Sequence, residues 1–293
     1  MSMPSLPLFL SQLFNGLATG LLLSLISAGL TIIYGTLGVL NLAHGALFMV
    51  GAYAGFMAFQ WTGSFVVAMI GGMLGALIVG LIMERVIVRY YYQRPPEDQI
   101  LVTFGIGIVI TEIVRLVFGG IAKPVPVPSW GEGITRLGFL FYPNYRIQIM
   151  VIVAVVLAAL YLVLYRTRIG MIVRAGIEDS LMVNMLGINV YRVFLLVFGI
   201  GAMTAGFAGI VNAPILAVTP DMGEGFLVQS FVVIVIGGVG SFPGAVAGGI
   251  IAGEIISLTS MFSPAYSQVM LFALMALLLA LRPQGLFGIE GRE

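Results

Sequence analysis

Residues 9–33 read FLSQLFNGLATGLLLSLISAGLTII, an apolar run without a single charged side chain. The run is longer than the about 20 predominantly apolar residues that an α-helix needs to cross a bilayer. No Asp, Glu, Lys or Arg occurs from Met1 to Met83. Over the whole chain only 9% of residues are charged and 60% are hydrophobic, whereas a soluble domain carries about 25% charged residues. The composition therefore predicts a polytopic integral membrane protein.

Apolar windows of spanning length continue to the end of the chain. The charge-free windows are 9–33, 38–59, 64–83, 147–165, 193–218, 226–253 and 265–281. An eighth window, 99–118, holds Glu112 and Arg115, which share one helical face and are expected to form an ion pair rather than a proton relay. The stretch 226–260, which contains the long window 226–253, is too long for one simple helix and is interrupted by glycines and a proline. It is either two helices or one broken, partly re-entrant segment. We expect an all-α bundle of eight to nine spans, forming a single transmembrane domain over residues 1–293.

The arginines predict how the bundle is oriented. They concentrate in the connections 84–98 and 166–192 and in the C-terminal tail. Because basic segments stay in the cytoplasm, these parts are expected inside, together with the C-terminus. The N-terminus and the loops 119–146 and 219–225 are then expected outside.

Three residue counts exclude common kinds of site. The chain has no cysteine and one histidine, His44, so thiolate sites and HExxH-type zinc sites are excluded. Its one lysine, Lys123, is followed by Pro124, so the Walker A motif that cradles ATP is absent. We expect no metal, no cofactor and no catalytic residue in this chain.

The segment GVLNLAHG, residues 38–45, lies between two apolar spans. Asn41 is well placed to cap a helix that begins at Leu42. Alternatively, glycines 35 and 38 break the backbone at membrane depth, so that a helix N-terminus points into a polar cavity and favours a carboxylate. An ionisable side chain at this depth is costly, so His44 is either a buried hydrogen-bonding residue or part of the pathway. The pathway candidates here are Asn41, His44 and Gly45.

A second break reads IGGVGSFPGA over residues 236–245. It is not the G-x-G-x-x-G fingerprint of dinucleotide-binding proteins, because Pro243 stands where a motif that starts at Gly238 requires its last glycine. It is either part of a translocation pathway built from broken helices or a turn with tightly packed flanking helices. The further pathway candidates are Gly237, Gly238, Gly240 and Ser241. We expect Asn41 and His44 to face the same polar cavity as the backbone of 237–244.

The connection 166–192 contains the segment RAGIEDSLMVNMLGI, residues 174–188. An apolar arc at helical spacing predicts a short helix that Gly187 ends. Such a helix lies on the membrane surface or docks in the groove of a partner. The acidic pair Glu178 and Asp179 suits the helix dipole but not an anionic bilayer, which favours a protein partner.

These segments resemble the permease subunits of branched-chain amino acid ABC importers, the Liv H-type permease family. The resemblance begins at Tyr34-Gly35 and continues through the stretch NLAHG, residues 41–45. The glycine-rich segment 237–245 and the tail RPQGLFG, residues 282–288, are also similar to the family. Val183 stands where the family commonly has alanine, and Asn184 lies in the helix body. The family's coupling-helix pattern fits Arg174, Ala175, Asp179, Gly187 and Ile188.

The resemblance implies a transmembrane permease subunit of an ATP-binding cassette importer that moves branched-chain or related hydrophobic amino acids. It implies a prokaryotic cytoplasmic (inner) membrane, with ATP hydrolysed by partner chains rather than by this one. The implied partners are a second homologous permease, two ATP-binding subunits, an extracytoplasmic solute-binding protein and membrane lipid, with no nucleic acid. Together with Glu178 of the acidic pair, the residues that fit the family pattern give the predicted coupling residues Arg174, Ala175, Glu178, Asp179, Gly187 and Ile188.

Other functions remain open from the sequence. Similar permeases are associated with urea, short amides and aromatic acids. An ion-coupled secondary transporter is expected to carry charged residues deep in the bundle, and here only His44 and Glu254 qualify. A passive channel needs selectivity groups, and the Asn-Pro-Ala pairs of aquaporin-like pores are absent.

Overall fold

The computed structural model describes residues 6–138, 140–178 and 180–288. The helices in these ranges are α1 Leu6–Leu37, α2 His44–Thr62, α3 Phe65–Val86, α4 Pro96–Phe118, α5 Asn144–Arg166, α6 Arg168–Glu178, α7 Ser180–Met185, α8 Val190–Leu216, α9 Met222–Gly237, α10 Phe242–Phe262 and α11 Ser267–Leu281. Short 3₁₀ turns occupy Val88–Tyr91, Ser129–Gly131 and Pro264–Tyr266. Strands β1 Ile134–Leu137 and β2 Leu140–Pro143 form an antiparallel hairpin in which Leu137 pairs with Leu140.

Seven of the described helices are long and apolar enough to cross a membrane. They are α1, α3, α4, α5, α8, α10 and α11 with its preceding turn. The apolar helix α9 is shorter, at 16 residues, and the 19-residue α2 is largely buried along its first half. The predicted polytopic all-α membrane bundle is therefore confirmed.

The long apolar window at 226–253 forms two helices rather than one broken helix. α9 ends at Gly237 and α10 begins at Phe242. Between them Gly238 and Gly240 adopt positive φ angles of 99° and 81°, a conformation that glycine reaches without a steric penalty. The Ser241 hydroxyl caps α10 by accepting a hydrogen bond from the Gly244 N–H at 3.1 Å.

The chain folds into two compact units that are interleaved in sequence. Unit 1 contains the described residues of 1–27, 127–156 and 229–293, and unit 2 contains residues 28–126 and the described residues of 157–228. The expectation of one transmembrane domain over 1–293 stays a prediction.

Unit 2 is built around α2, α3 and α8, which contact one another through glycine. Gly51 of α2 lies directly against Gly206 of α8. A Cβ added to Gly72 of α3 would lie 2.8 Å from the Gly51 carbonyl oxygen. Small residues let helix backbones approach this closely in membrane proteins, so the three helices form a close-packed centre.

Unit 1 joins the first part of α1 to α10. Gly20 lies against the backbone of Ile250, where an added Cβ would be 2.8 Å from the Ile250 Cα. The Ser24 hydroxyl lies 2.9 Å from the Val246 carbonyl oxygen. The Ser257 hydroxyl donates to the Gln12 carbonyl at 2.6 Å. Serine hydroxyls therefore reinforce this close helix contact with polar bonds between helices.

Candidate functional site

The connection between α1 and α2 is a break in helical structure inside unit 2. α1 ends at Leu37, and Gly38 follows with a left-handed φ of 65°. The Gly38 N–H donates to the Tyr34 carbonyl at 2.8 Å, which closes the last turn of α1. Of the two glycines expected to break the backbone, Gly38 does so, whereas Gly35 lies within α1.

Asn41 lies at the centre of this break and is fully buried. Its side-chain oxygen accepts from the Ala43 N–H at 3.1 Å, and its carbonyl accepts from the His44 N–H at 3.2 Å. The helix therefore begins at His44, and the prediction that it begins at Leu42 is wrong by two residues. Among the described residues, no group accepts a hydrogen bond from the Asn41 amide nitrogen.

A threonine of α4 bonds to the backbone before α2. The Leu42 N–H donates to the Thr103 hydroxyl oxygen at 3.1 Å, and the same hydroxyl lies 3.1 Å from the Leu40 carbonyl oxygen. The backbone on both sides of Asn41 is thus tied to α4. Nothing in the sequence around Thr103 signals this contact, because its partners lie about 60 residues earlier in the chain.

His44 is also fully buried, in the first turn of α2. A methyl group on Gly29 of α1 would lie 3.3 Å from the His44 Cε1. The imidazole therefore sits against α1, where a larger residue than glycine would crowd it.

A cavity of about 100 Å³ opens beside this break. Its walls come from the start of α2, from α4 and from the first turns of α9 with the residues that precede it. The lining residues are Leu42, Gly45, Ala46, Met49, Phe104, Gly107, Ile108, Thr111, Glu112, Arg115, Pro220, Gly223, Glu224 and Leu227. Of the sequence-predicted pathway residues, Gly45 lies on the wall, whereas Asn41 and His44 lie in the buried turn that precedes it. Because a water needs roughly 10–15 Å³ of such space, the cavity has room for several.

The cavity wall combines an apolar surface with a charged cluster. The Arg115 guanidinium lies 3.0 Å from the Glu112 carboxylate, which confirms the predicted ion pair within α4. Arg115 also pairs with Asp221 in the loop before α9. Sequence reasoning missed this second partner, although Asp221 and Glu224 are the only charged residues of the loop 219–225. The cluster joins α4 to the start of α9 at the cavity.

The glycine-rich candidates belong to unit 1, where the chain's tail packs on Gly237 and Gly238 and Gly240 is exposed. The Leu286 N–H donates to the Ile236 carbonyl at 3.0 Å, and the Phe287 N–H donates to the Gly237 carbonyl at 2.9 Å. A Cβ on Gly238 would lie 2.9 Å from the Gly288 Cα. These contacts fit a tightly packed turn, and a cavity shared with Asn41 and His44 stays a prediction.

The described residues of the predicted coupling segment are helical on both sides of Asp179, in α6 and in α7. α6 begins at Arg168, earlier than expected, because the Thr167 hydroxyl caps it by accepting from the Gly170 N–H at 3.3 Å. Glu178 therefore lies ten residues after the start of α6 and not in its first turn. The predicted coupling residue Asp179 lies outside the described residues.

The remaining coupling candidates lie on described backbone. Arg174 donates to the Leu164 carbonyl and lies over the Tyr165 ring at 5.5 Å, while Ala175 is exposed. Gly187 has a φ of 80°, and the Ile188 N–H donates to the Val183 carbonyl at 3.3 Å. This is the glycine stop that the sequence predicted.

Comparison with known proteins places the chain in a family. The family model described as "Branched-chain amino acid transport system / permease component" matches residues 12–279. The permease protein LivH of the high-affinity branched-chain amino acid transport system of Escherichia coli is 33% identical over 96% of both chains. BraD of Pseudomonas aeruginosa is 32% identical over 98% of both chains. LivM of Escherichia coli is 27% identical over 89% of this chain and 67% of LivM.

The chain therefore belongs to the family of permease components of branched-chain amino acid transport systems. The resemblance that the NLAHG stretch and the glycine-rich segments indicated is confirmed. The protein is a multi-pass membrane transport subunit.

Proposed function

We propose that this chain is one of two homologous permease subunits of an ATP-driven importer in a prokaryotic inner membrane, and that it moves branched-chain or related hydrophobic amino acids. The observation that carries the proposal is the family match over residues 12–279, which covers nearly the whole chain. The similarity to both LivH and LivM, two permease proteins named for the same transport system, supports a second, homologous permease as partner.

The cavity has the chemistry that an apolar amino acid requires. Leu42, Met49 and Ile108 supply an apolar wall for the side chain. Arg115, whose guanidinium is shared with Glu112 and Asp221, supplies positive charge, and Glu224, which forms no ion pair within the described residues, supplies a carboxylate for an ammonium group. A zwitterion loses hydration at both ends when it leaves water. Charges of both signs in one wall compensate that loss.

The start of α2 adds a second attraction for a carboxylate. Gly45 lies on the cavity wall in the first helical turn, where backbone N–H groups lack helical acceptors. A helix N-terminus favours a nearby anion by about 0.3–2 kcal/mol. An attraction of this size guides a solute without trapping it, and capture from dilute solution then falls to a separate binding protein.

The ATPase belongs to other chains, because this one lacks a Walker A motif. The segment α6–α7 offers them a docking surface. Met182, Met185 and Leu186 are all more than half exposed. An apolar arc on a short cytoplasmic helix fits a groove in a partner protein, in this case two ATP-binding subunits.

Reconstitution tests the proposal. The chain is purified with its native partners and placed in proteoliposomes that contain ATP, and uptake of labelled leucine is compared with uptake of labelled urea. We expect two ATP-binding subunits to co-purify, and leucine uptake to require both ATP and the solute-binding protein. Urea uptake without leucine uptake would contradict the substrate class. An assembly without ATPase that is driven by an ion gradient would identify a secondary transporter instead.

A further inference from the structure

A buried carboxylate at the end of α3 lies outside the site described above. Glu84 has no solvent exposure and lies in the last turn of its helix. Burying a carboxylate is costly, and the negative end of a helix dipole disfavours an acidic residue at this position. Other contacts must therefore compensate the cost of burying the Glu84 carboxylate.

Two residues of the following loop compensate this charge. The Arg89 guanidinium lies 3.2 Å from one carboxylate oxygen of Glu84, and the Tyr92 hydroxyl donates to the other at 2.6 Å. Burial, followed by the hydrogen bond to Glu84, raises the pKa of Tyr92 well above its usual value. Tyr92 therefore keeps its proton and remains a donor. We call Glu84, Arg89 and Tyr92 the Glu84 cluster.

Two members of the Glu84 cluster contact aromatic side chains at the start of α8. The Arg89 guanidinium lies over the Tyr191 ring at 5.6 Å. The Tyr92 ring meets the Phe194 ring edge to face at 5.3 Å. Both aromatic partners lie in the first turns of α8, immediately after the coupling segment.

The coupling segment is tied to the same turn of α8. The Asn184 side chain of α7 accepts from the Val190 N–H at 3.3 Å. The Asn189 side chain caps α8 by accepting from the Arg192 N–H at 3.2 Å. A displacement of α7 therefore acts directly on the helix end that the Glu84 cluster holds.

The loop that carries Arg89 and Tyr92 is also bonded to α4. The buried Gln99 amide donates to the carbonyls of Tyr91 at 3.1 Å and Arg94 at 3.0 Å. One turn further along α4, Thr103 holds the break before α2, and Phe104 lines the cavity. Hydrogen bonds and aromatic contacts thus connect the coupling segment to the cavity wall.

We propose that Glu84 is a positioning residue that holds the loop 87–95 between α8 and α4, so that movement of the coupling segment reaches the cavity wall. The inference rests on the proposed ATP-driven function. If coupling travels through these contacts, breaking one of them abolishes the response of the cavity wall to nucleotide.

The test uses a single cysteine as a reporter of the cavity wall. The chain has no native cysteine, and Ile108 lines the cavity and is about half exposed. In the assembled complex with Ile108→Cys, the rate of labelling by a water-soluble maleimide is measured without nucleotide and with ATP plus vanadate. The measurement is repeated with Glu84→Gln added, which removes the charge and keeps the shape. Tyr90→Ala, an exposed residue of the same turn, is the matched control.

We expect nucleotide to change the labelling rate at least twofold with Glu84 present and with Tyr90→Ala. With Glu84→Gln the change is lost, and the leucine transported per ATP hydrolysed falls at least fivefold. A purely structural role would lower the amount of complex and both rates together, leaving that ratio unaltered. If the labelling rate of the Glu84→Gln variant still responds to nucleotide, the inference is wrong and the proposed function stands. Absence of any co-purifying ATPase overturns the proposed function and the inference with it.

Discussion

The contact between Gly51 and Gly206 makes the packing of α2 on α8 directly testable. A methyl group in Gly51→Ala would overlap the Gly206 Cα and would lie 2.6 Å from its carbonyl carbon. Both neighbours are backbone atoms, so rotation of a side chain cannot relieve the overlap. The two helices have to move apart.

The cost can be compared with a control substitution in the same unit. Overpacking costs about 1–3 kcal/mol, and we expect the upper end here because backbone meets backbone. Alanine has a better helix propensity than glycine, which offsets about 1 kcal/mol of this cost. The expected net loss in the free energy of unfolding is about 2 kcal/mol. Gly105 of α4 has nothing within 4 Å of an added Cβ. Gly105→Ala therefore gains about 0.5–1 kcal/mol with no clash.

Thermal unfolding of the purified complex in detergent measures both effects. At about 2–4 °C per kcal/mol, Gly51→Ala lowers the midpoint by about 4–8 °C and Gly105→Ala raises it by about 1–4 °C. An unchanged or higher midpoint for Gly51→Ala would refute the close approach of α2 and α8. A lower midpoint for Gly105→Ala would refute the open surroundings of that residue.

Three further predictions concern coupling, topology and the pathway. Gly187→Val places a β-branched residue at a φ of 80°, at a cost of about 1–3 kcal/mol, so we expect ATP-driven uptake to fall several-fold. Gly187→Asn keeps most of the uptake, because asparagine tolerates this conformation. An uptake rate of the Gly187→Val variant equal to that of the parent would contradict a coupling role. A cysteine introduced by Ser129→Cys, at an exposed position, reacts with impermeant maleimide from outside; labelling only from the cytoplasm would reverse the topology. Asn41→Ser keeps an acceptor for the Ala43 N–H but removes the amide donor. We expect slower uptake for this variant and for His44→Ala. Uptake at the parental rate in both variants would show that these two residues have only a structural role.

Features that depend on neighbours in the chain were predictable. The ion pair of Glu112 with Arg115 needs only a helix and a spacing of three residues. The stop at Gly187 needs only a residue that adopts positive φ without cost. In both cases the interacting groups lie within one or two helical turns, so the local pattern contains the whole interaction.

Features that depend on distant partners were not predictable. The start of α2 was expected at Leu42, yet Thr103 holds the Leu42 N–H and the helix begins at His44. Arg115 found a second partner in Asp221, 106 residues away. Neither contact leaves a periodic signal, because no local pattern encodes which helices become neighbours.

The sequence by itself determined the class of the protein and its membrane-spanning helices, because long charge-free apolar runs are stable only where their backbone bonds are satisfied within a helix. It also excluded a metal site of the common zinc types and an ATP-binding loop in this chain. The tertiary structure alone decided that α4 bears the cavity wall, that the tail packs on Gly238, and that Glu84 is buried beside Arg89 and Tyr92. The reason is physical: burial of apolar surface is non-directional and follows composition, whereas a cavity or a buried ion pair exists only where packing brings distant segments within a few ångströms.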